Sequence, residues 1–314
     1  MPQSSILDPK RALSEIQVGH AALADVLRAR FSQVEALTLY FMLKLAEREL
    51  RGDDTNSTSE FDVWMDMMPP SYHGIIMWSE EQVKRIQDER FITNVREIWR
   101  QFAVLSEKMG QLLAGAPASA RSSMKLLQLP LDRVIHLFKV ATCIIQSRAF
   151  GDFRLVPIMD MLNYSPHSNM APTWRENVEG FTGYVLQADR DYSLGEELFM
   201  FYGPKGNHNL VEMYGFALLD NPFNCAMLFP KFFDKYQVIK NRIARMLGAD
   251  LDYGICVNKH MLSPAMFVVA ASAIMDVETT PRDEYLRLAS APHSYPPLMA
   301  KVLANLVDGL QVTS

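Results

Sequence analysis

At 314 residues, 49% of them hydrophobic, with a formal charge of −5, the chain can bury a large apolar core in roughly two domains and carries no basic excess to hold a nucleic-acid backbone. Its three cysteines, Cys143, Cys225 and Cys256, lie far apart in apolar stretches. That argues for buried thiols in a reducing compartment, and there is no CxxC or Cys/His spacing for zinc.

In chain order, Ser32 with Glu35 makes a capping box that predicts a helix through Leu37, Tyr40, Phe41, Leu43 and Leu45 to Arg51 and Gly52. A solvated loop is expected from Asp53 to Glu60. Ser79 with Gln82 opens a short helix, and Val95, Ile98, Trp99 and Phe102 recur at helical spacing over Thr93 to Ala114. Residues 115–123, GAPASARSS, read as a flexible break. Leu131 to Ala149 then forms a strongly apolar helix, on which Cys143 is a packing residue.

The pattern next changes to short β-type runs, Phe153 to Val156, Phe181 to Gln187 and Glu197 to Tyr202, separated by Gly, Pro, Asn and Asp. After Asn221 and Pro222 it returns to helices, at Phe232 to Leu247, Pro264 to Val277, from Pro281 onward, and to an end near Leu310. The apolar run Met266 to Met275 falls short of the ~20 residues that a membrane span requires. Met1 to Lys10 lacks signal- or transit-peptide character. An intracellular protein, cytoplasmic or nuclear, is expected.

Three islands carry the chemistry, and their order makes them informative. They are Ser147-Arg148-Ala149-Phe150, then Pro157 with Asp160-Met161-Leu162-Asn163-Tyr164-Ser165, then Gly195-Glu196-Glu197-Leu198-Phe199-Met200-Phe201-Tyr202-Gly203 with Asn207 and Tyr214-Gly215-Phe216. In this order they resemble the motifs of SET-domain protein methyltransferases of the Rubisco large-subunit methyltransferase type. Met68-Pro69-Pro70 followed by Trp78-Ser79-Glu80-Glu81 is similar to a stretch of that branch's helical insert. The likeness weakens after Phe229.

The resemblance implies an α+β fold. Residues 1–30 would belong to the N-terminal SET part, 31–150 to the helical insert, 151–220 to the C-terminal SET core, and 221–314 to a helical substrate-binding domain. It implies S-adenosyl-L-methionine as cofactor and methyl transfer to a lysine of a protein substrate, by a monomer without zinc. Tyr202 would be the catalytic positioning residue and, with Phe150, would wall the substrate channel. Arg148, Asp160, Asn163, Tyr164, Tyr214 and Phe216 would serve the cofactor.

Such a reaction is an in-line displacement by a neutral amine, so alignment carries most of the benefit. Asn163 combines donor and acceptor on one short side chain, and Asp160 would fix the turn presenting it. Asn and Asp are also ordinary turn residues, and Arg148 equally suits helix capping. Tyr164 departs from the family's usual His. Phe150 favours lysine, because the histidine-methylating members carry a polar residue there. His208 reads as a solvated loop histidine, and Asp189, Asp191, Glu196 and Glu197 as solvated charges around a hairpin.

The family's Gly-x-Gly segment, which wraps the methionine end of the cofactor, does not occur in the sequence. The register of residues 1–30 places them just after it, so the expectation is a start in mid-domain, with Met1 internal to a longer reading frame. The rival to an enzyme is a non-catalytic, SET-derived binding module. Histidine methylation is a third reading.

Overall fold

The computed structural model describes residues 1, 3–51, 60–69, 71–116, 124–224, 226–228 and 255–257, with Pro281, Asp283 and Arg287. The chain divides into two compact units, Met1–Asp220 and Asn221–Ser314.

The first unit opens with helices α1 (Pro9–Gly19) and α2 (Ala21–Arg30). Asp8 caps α1 by accepting from Arg11 N at 2.8 Å, and Pro9 occupies its first turn. Helix α3 (Gln33–Arg51) begins at the predicted capping box: Ser32 N donates to Glu35 Oε2 at 2.6 Å and Glu35 N to Ser32 Oγ at 3.3 Å. Every residue from Ala36 to Leu43 is buried, so this stretch of α3 is enclosed on all sides and runs through the core of the unit. It packs against α1 and against α7 (Leu131–Arg148).

Helix α4 (Glu60–Asp66) occupies a Met-rich stretch in which periodicity predicted no element. Its Phe61, Trp64 and Met65 are buried in the same core as Phe41 and Leu45. Helix α5 (Glu80–Val83) carries the second predicted capping box intact. Helix α6 (Glu89–Ala114) starts earlier than its apolar spacing indicated, because Asp88 accepts from Phe91 N at 3.1 Å and captures an extra turn. Of the expected breaks, 52–59 and 117–123 lie outside the described residues. Cys143 is a free, buried thiol whose pKa burial pushes up to about 11, consistent with packing. Cys225 lies outside the described residues, as does the side chain of Cys256.

The β part is a set of short pairs. Strand β1 (Ala149–Phe150) follows α7 without a break and pairs antiparallel with β2 (Arg154–Leu155). Strand β3 (Asn163–Tyr164) pairs parallel with β6 (Phe199–Met200), and β4 (Thr173–Val178) forms a bulged antiparallel hairpin with β5 (Phe181–Val185). The hydropathy reading found β2, β5 and β6 but missed β1, β3 and β4. Strand β4 is mostly exposed and polar, so no alternation marks it. The N-terminal residues cover two strand edges: Leu7 bridges Leu155, and Met1 exchanges hydrogen bonds with Tyr184 at 2.7 and 3.0 Å.

Helix α8 (Asn207–Tyr214) ends at Gly215, in the left-handed conformation with φ 80°. A Cβ there would lie 2.8 Å from the His73 carbonyl. Gly215→Ala is therefore expected to lose more than the ~1–2 kcal/mol of the left-handed penalty, because the His73 backbone must also shift. Thermal unfolding measures it; an unchanged midpoint would refute this close approach. His208 sits in the first turn of α8 rather than in a loop. Its ring meets Phe91 edge-on at 4.9 Å and it approaches Glu212 at 3.6 Å.

In the second unit β7 (Ala226–Leu228) pairs antiparallel with β8 (Ile255–Val257), strands that the helical reading of this region did not include. Of the helices expected there, 232–247, 264–277 and the last one lie outside the described residues; Asp283 and Arg287 are helical.

Candidate functional site

The direct passage from α7 into β1 sets Arg148 and Phe150 on one wall of a cleft of about 280 Å³, which Asp160, Tyr202, Lys205 and Tyr214 also line. Asp160 reaches it through a tight turn. Ile158 takes φ 70°, an uncommon backbone for a β-branched residue, and the 3₁₀ turn Met159–Met161 follows. The Asp160 carboxylate is fully buried and pairs with Arg148, whose Nη1 donates to Oδ2 and to the Asp160 carbonyl, each at 3.1 Å.

Trp64 Nε1 donates to both oxygens of the same carboxylate, at 3.0 and 3.2 Å. Burial raises the Asp160 pKa above the ordinary carboxylate range, opposed by Arg148 and then by the Trp64 hydrogen bond. Arg148 keeps one donor, Nε, that is buried without an acceptor. Asp160 thus anchors Arg148 rather than the Asn163 turn.

The parallel pair aligns Asn163 with Phe199 and Tyr164 with Met200, joining the second and third sequence islands. Ser165 N extends the junction by donating to Met200 O at 3.2 Å, and Phe201 N donates to Met170 O at 2.8 Å. This junction delivers Tyr202, whose hydroxyl donates to Leu162 O at 2.5 Å. Burial pushes the Tyr202 pKa up to about 12. Its ring lies 5.2 Å from Tyr164 and 5.0 Å from Tyr214; Phe216 closes the circuit at 6.0 Å from Tyr214 and 6.3 Å from Tyr164.

Arg148, Phe150, Asp160, Tyr202 and Tyr214 therefore meet at one cleft, while Tyr164 and Phe216 stand behind it as ring supports. Tyr164 OH donates to Gly203 O at 3.3 Å. Asn163 is exposed and donates to Glu197 Oε1 at 2.6 Å, away from the cleft wall. The acidic residues around it are engaged at the surface: Asp189 accepts from Asn169 N and Tyr192 OH, and Glu196 pairs with Arg190.

Two residues of this region escaped the sequence reading. Lys205 lies on the cleft wall with its amine pKa lowered by burial; its position after Tyr202 was the sole available signal. Trp64 had none, since its partner is 96 positions away. Among the described residues no group of three His, Cys, Asp or Glu side chains could hold a metal ion, and no helix is long and apolar enough to cross a membrane.

No family model matches the chain. Its sequence is similar to the ribosomal lysine N-methyltransferase set10 of Schizosaccharomyces pombe, at 36% identity over 74 residues, 24% of this chain and 13% of that protein. It is similar to the human SET domain-containing protein 4, at 32% identity over 26% of this chain and 18% of that one. Ribosomal lysine N-methyltransferase 2 of Saccharomyces cerevisiae matches at 27% identity over 52% of this chain and 41% of its own length. The matches thus span less than half of each relative.

Among solved structures, Rubisco LSMT bound to sinefungin and monomethyllysine superposes with a TM-score of 0.57 at 17% identity, over 92% of this chain and 64% of that one. The SET domain of LSMT bound to lysine and AdoHcy gives a TM-score of 0.57 at 17% identity, over 100% and 72%. This likeness establishes the fold.

Proposed function

Starting from a chain that is a homologue of SET-domain lysine methyltransferases and has the fold of Rubisco LSMT, we propose that it serves S-adenosylmethionine-dependent methylation of a lysine side chain in a protein substrate. The observation that carries this reading is the Tyr202 hydroxyl held on the Leu162 carbonyl at 2.5 Å, in a cleft that also holds Arg148, Phe150 and Tyr214.

The cleft suits the cofactor on its own chemistry. Arg148 Nε is a buried donor lacking an acceptor, and a guanidinium is a strong partner for a carboxylate. The Tyr214 ring on the cleft wall suits an adenine face, with Phe216 packed against it at 6.0 Å. Asn163 would contribute from the β3 edge, Asp160 by anchoring Arg148, and Tyr164 by backing the Tyr202 ring. When bound, S-adenosylmethionine supplies a methyl group activated on a sulfonium.

Tyr202 orients the incoming amine with its hydroxyl, and the Leu162 carbonyl fixes where that hydroxyl points. Phe150 and the Tyr202 ring flank the lysine stem, and the apolar Phe150 gives no polar partner to an imidazole. Residues 1–30, 31–150 and 151–220 are assigned to the N-terminal SET part, insert and SET core, and 221–314 to substrate binding.

A pH dependence follows. The nucleophile is the neutral substrate amine, with an ordinary lysine pKa of ~10.4, so the rate should rise with pH. Tyr202, held at about 12, stays protonated throughout and adds no descending limb. A fall in initial rate centred near the ordinary tyrosine value of ~10 would contradict this. The proposal as a whole is tested by titrating the chain with S-adenosylhomocysteine in a calorimeter and by transfer of labelled methyl groups to protein lysines. Neither binding nor transfer would favour the binding-module reading instead.

A further inference from the structure

Trp64 lies on α4, outside every motif that the family resemblance uses, and is 2% exposed. Its ring is wedged between Phe61 at 4.9 Å and Phe41 at 6.1 Å, so the indole is held by the main core. A tryptophan needed only for packing requires an acceptor for one N–H. This one faces both oxygens of a buried carboxylate, at 3.0 and 3.2 Å, and that carboxylate holds Arg148 on the cleft wall.

We propose that Trp64 is a positioning residue: through Asp160 it fixes the Arg148 guanidinium, so that the helical part of the molecule sets the affinity of the cleft for a carboxylate-bearing cofactor. The inference rests on the function proposed above for its consequence, but not for its geometry. Burial raises the Asp160 pKa, and two donors, Arg148 and Trp64, act against it by favouring the ionised carboxylate. Tyr72 and Tyr202 are the other titratable groups whose ionisation feels Asp160, and Tyr72 is also affected by Arg148.

With the indole donor gone, Asp160 takes up a proton more readily, and its carboxylate, held by one side-chain donor in place of two, orients the guanidinium less firmly. Arg148 then samples other rotamers, and its remaining hydrogen bonds to a ligand carboxylate are no longer pre-aimed. A loss of packing alone would lower stability without this signature.

The test uses the full chain and Trp64→Phe, which keeps a buried ring and removes the N–H. S-adenosylhomocysteine affinity is expected to fall about tenfold, the scale of one hydrogen bond to a charged group, and its acid limb should move to higher pH. Phenylglyoxal labelling of Arg148, read by mass spectrometry of its peptide, should be slow in the wild type and several-fold faster in the variant.

Leu27→Ala, a fully buried core position on α2, serves as the packing control; it should lower the unfolding temperature while leaving affinity and labelling unchanged. Faster Arg148 labelling without any cofactor binding in either protein would uphold Trp64 and sink the proposed function. Binding by both proteins with equal affinity and equal labelling would overturn the role of Trp64 and leave that function standing.

Discussion

Tyr202→Phe is expected to lower methyl transfer by ~10²-fold or more while S-adenosylhomocysteine binding persists. Misaligned reacting groups alone can cost that much, and the hydroxyl is the only part of the side chain removed. Its ring still contacts Tyr164 and Tyr214, so the aromatic wall survives. Loss of the bond to Leu162 should cost folding about 1 kcal/mol, the net worth of a neutral hydrogen bond. Single-turnover rates and calorimetric titration separate the two effects, and transfer at the wild-type rate would remove Tyr202 from the mechanism.

Asp160→Ala should be the most destabilising single change at the site, by ~3–5 kcal/mol. Removing one member of a buried ion pair leaves the other charge uncompensated, and here Asp160 is fully buried and Arg148 is 16% exposed. The Trp64 indole is orphaned as well. Urea unfolding measures the loss; a change under about 1 kcal/mol would place the pair in the range of exposed surface ion pairs.

Asp160→Asn keeps an acceptor for Trp64 and should fall between. The sign of the pH dependence is set by the upward shift of the Asp160 pKa. A raised folded pKa contributes stability that is present below the unfolded value of ~3.9 and lost as pH rises through the folded one. Wild-type stability relative to Asp160→Asn is therefore expected to decline over that window.

Much of the scaffold was legible in residue order. Ser32 with Glu35 and Ser79 with Gln82 close their capping boxes as the spacing predicts, because a cap is satisfied within one helical turn. The run on α7 and the change to short β pairs after it were also legible. Helix α4 was not, since Met-rich, irregularly spaced residues fit any shape of core. Strand β1 follows α7 without a break and reads as the end of its apolar run, and β3 (Asn163–Tyr164) lies in a turn-rich stretch with no apolar run around it.

At the site, the sequence by itself determined the residue types and their order: the three islands, the tyrosine after Gly-Glu-Glu-Leu, and the fold family that they resemble. Tertiary structure alone decided which of them share a cleft. It turned Asn163 outward to Glu197, put Tyr164 and Phe216 behind Tyr202, and closed Asp160 onto both Arg148 and Trp64. Local spacing dictates what a helix turn or a hairpin can satisfy within a few residues. A buried carboxylate must find its donors wherever the packed core brings them, and for Asp160 one of the two is 96 positions away.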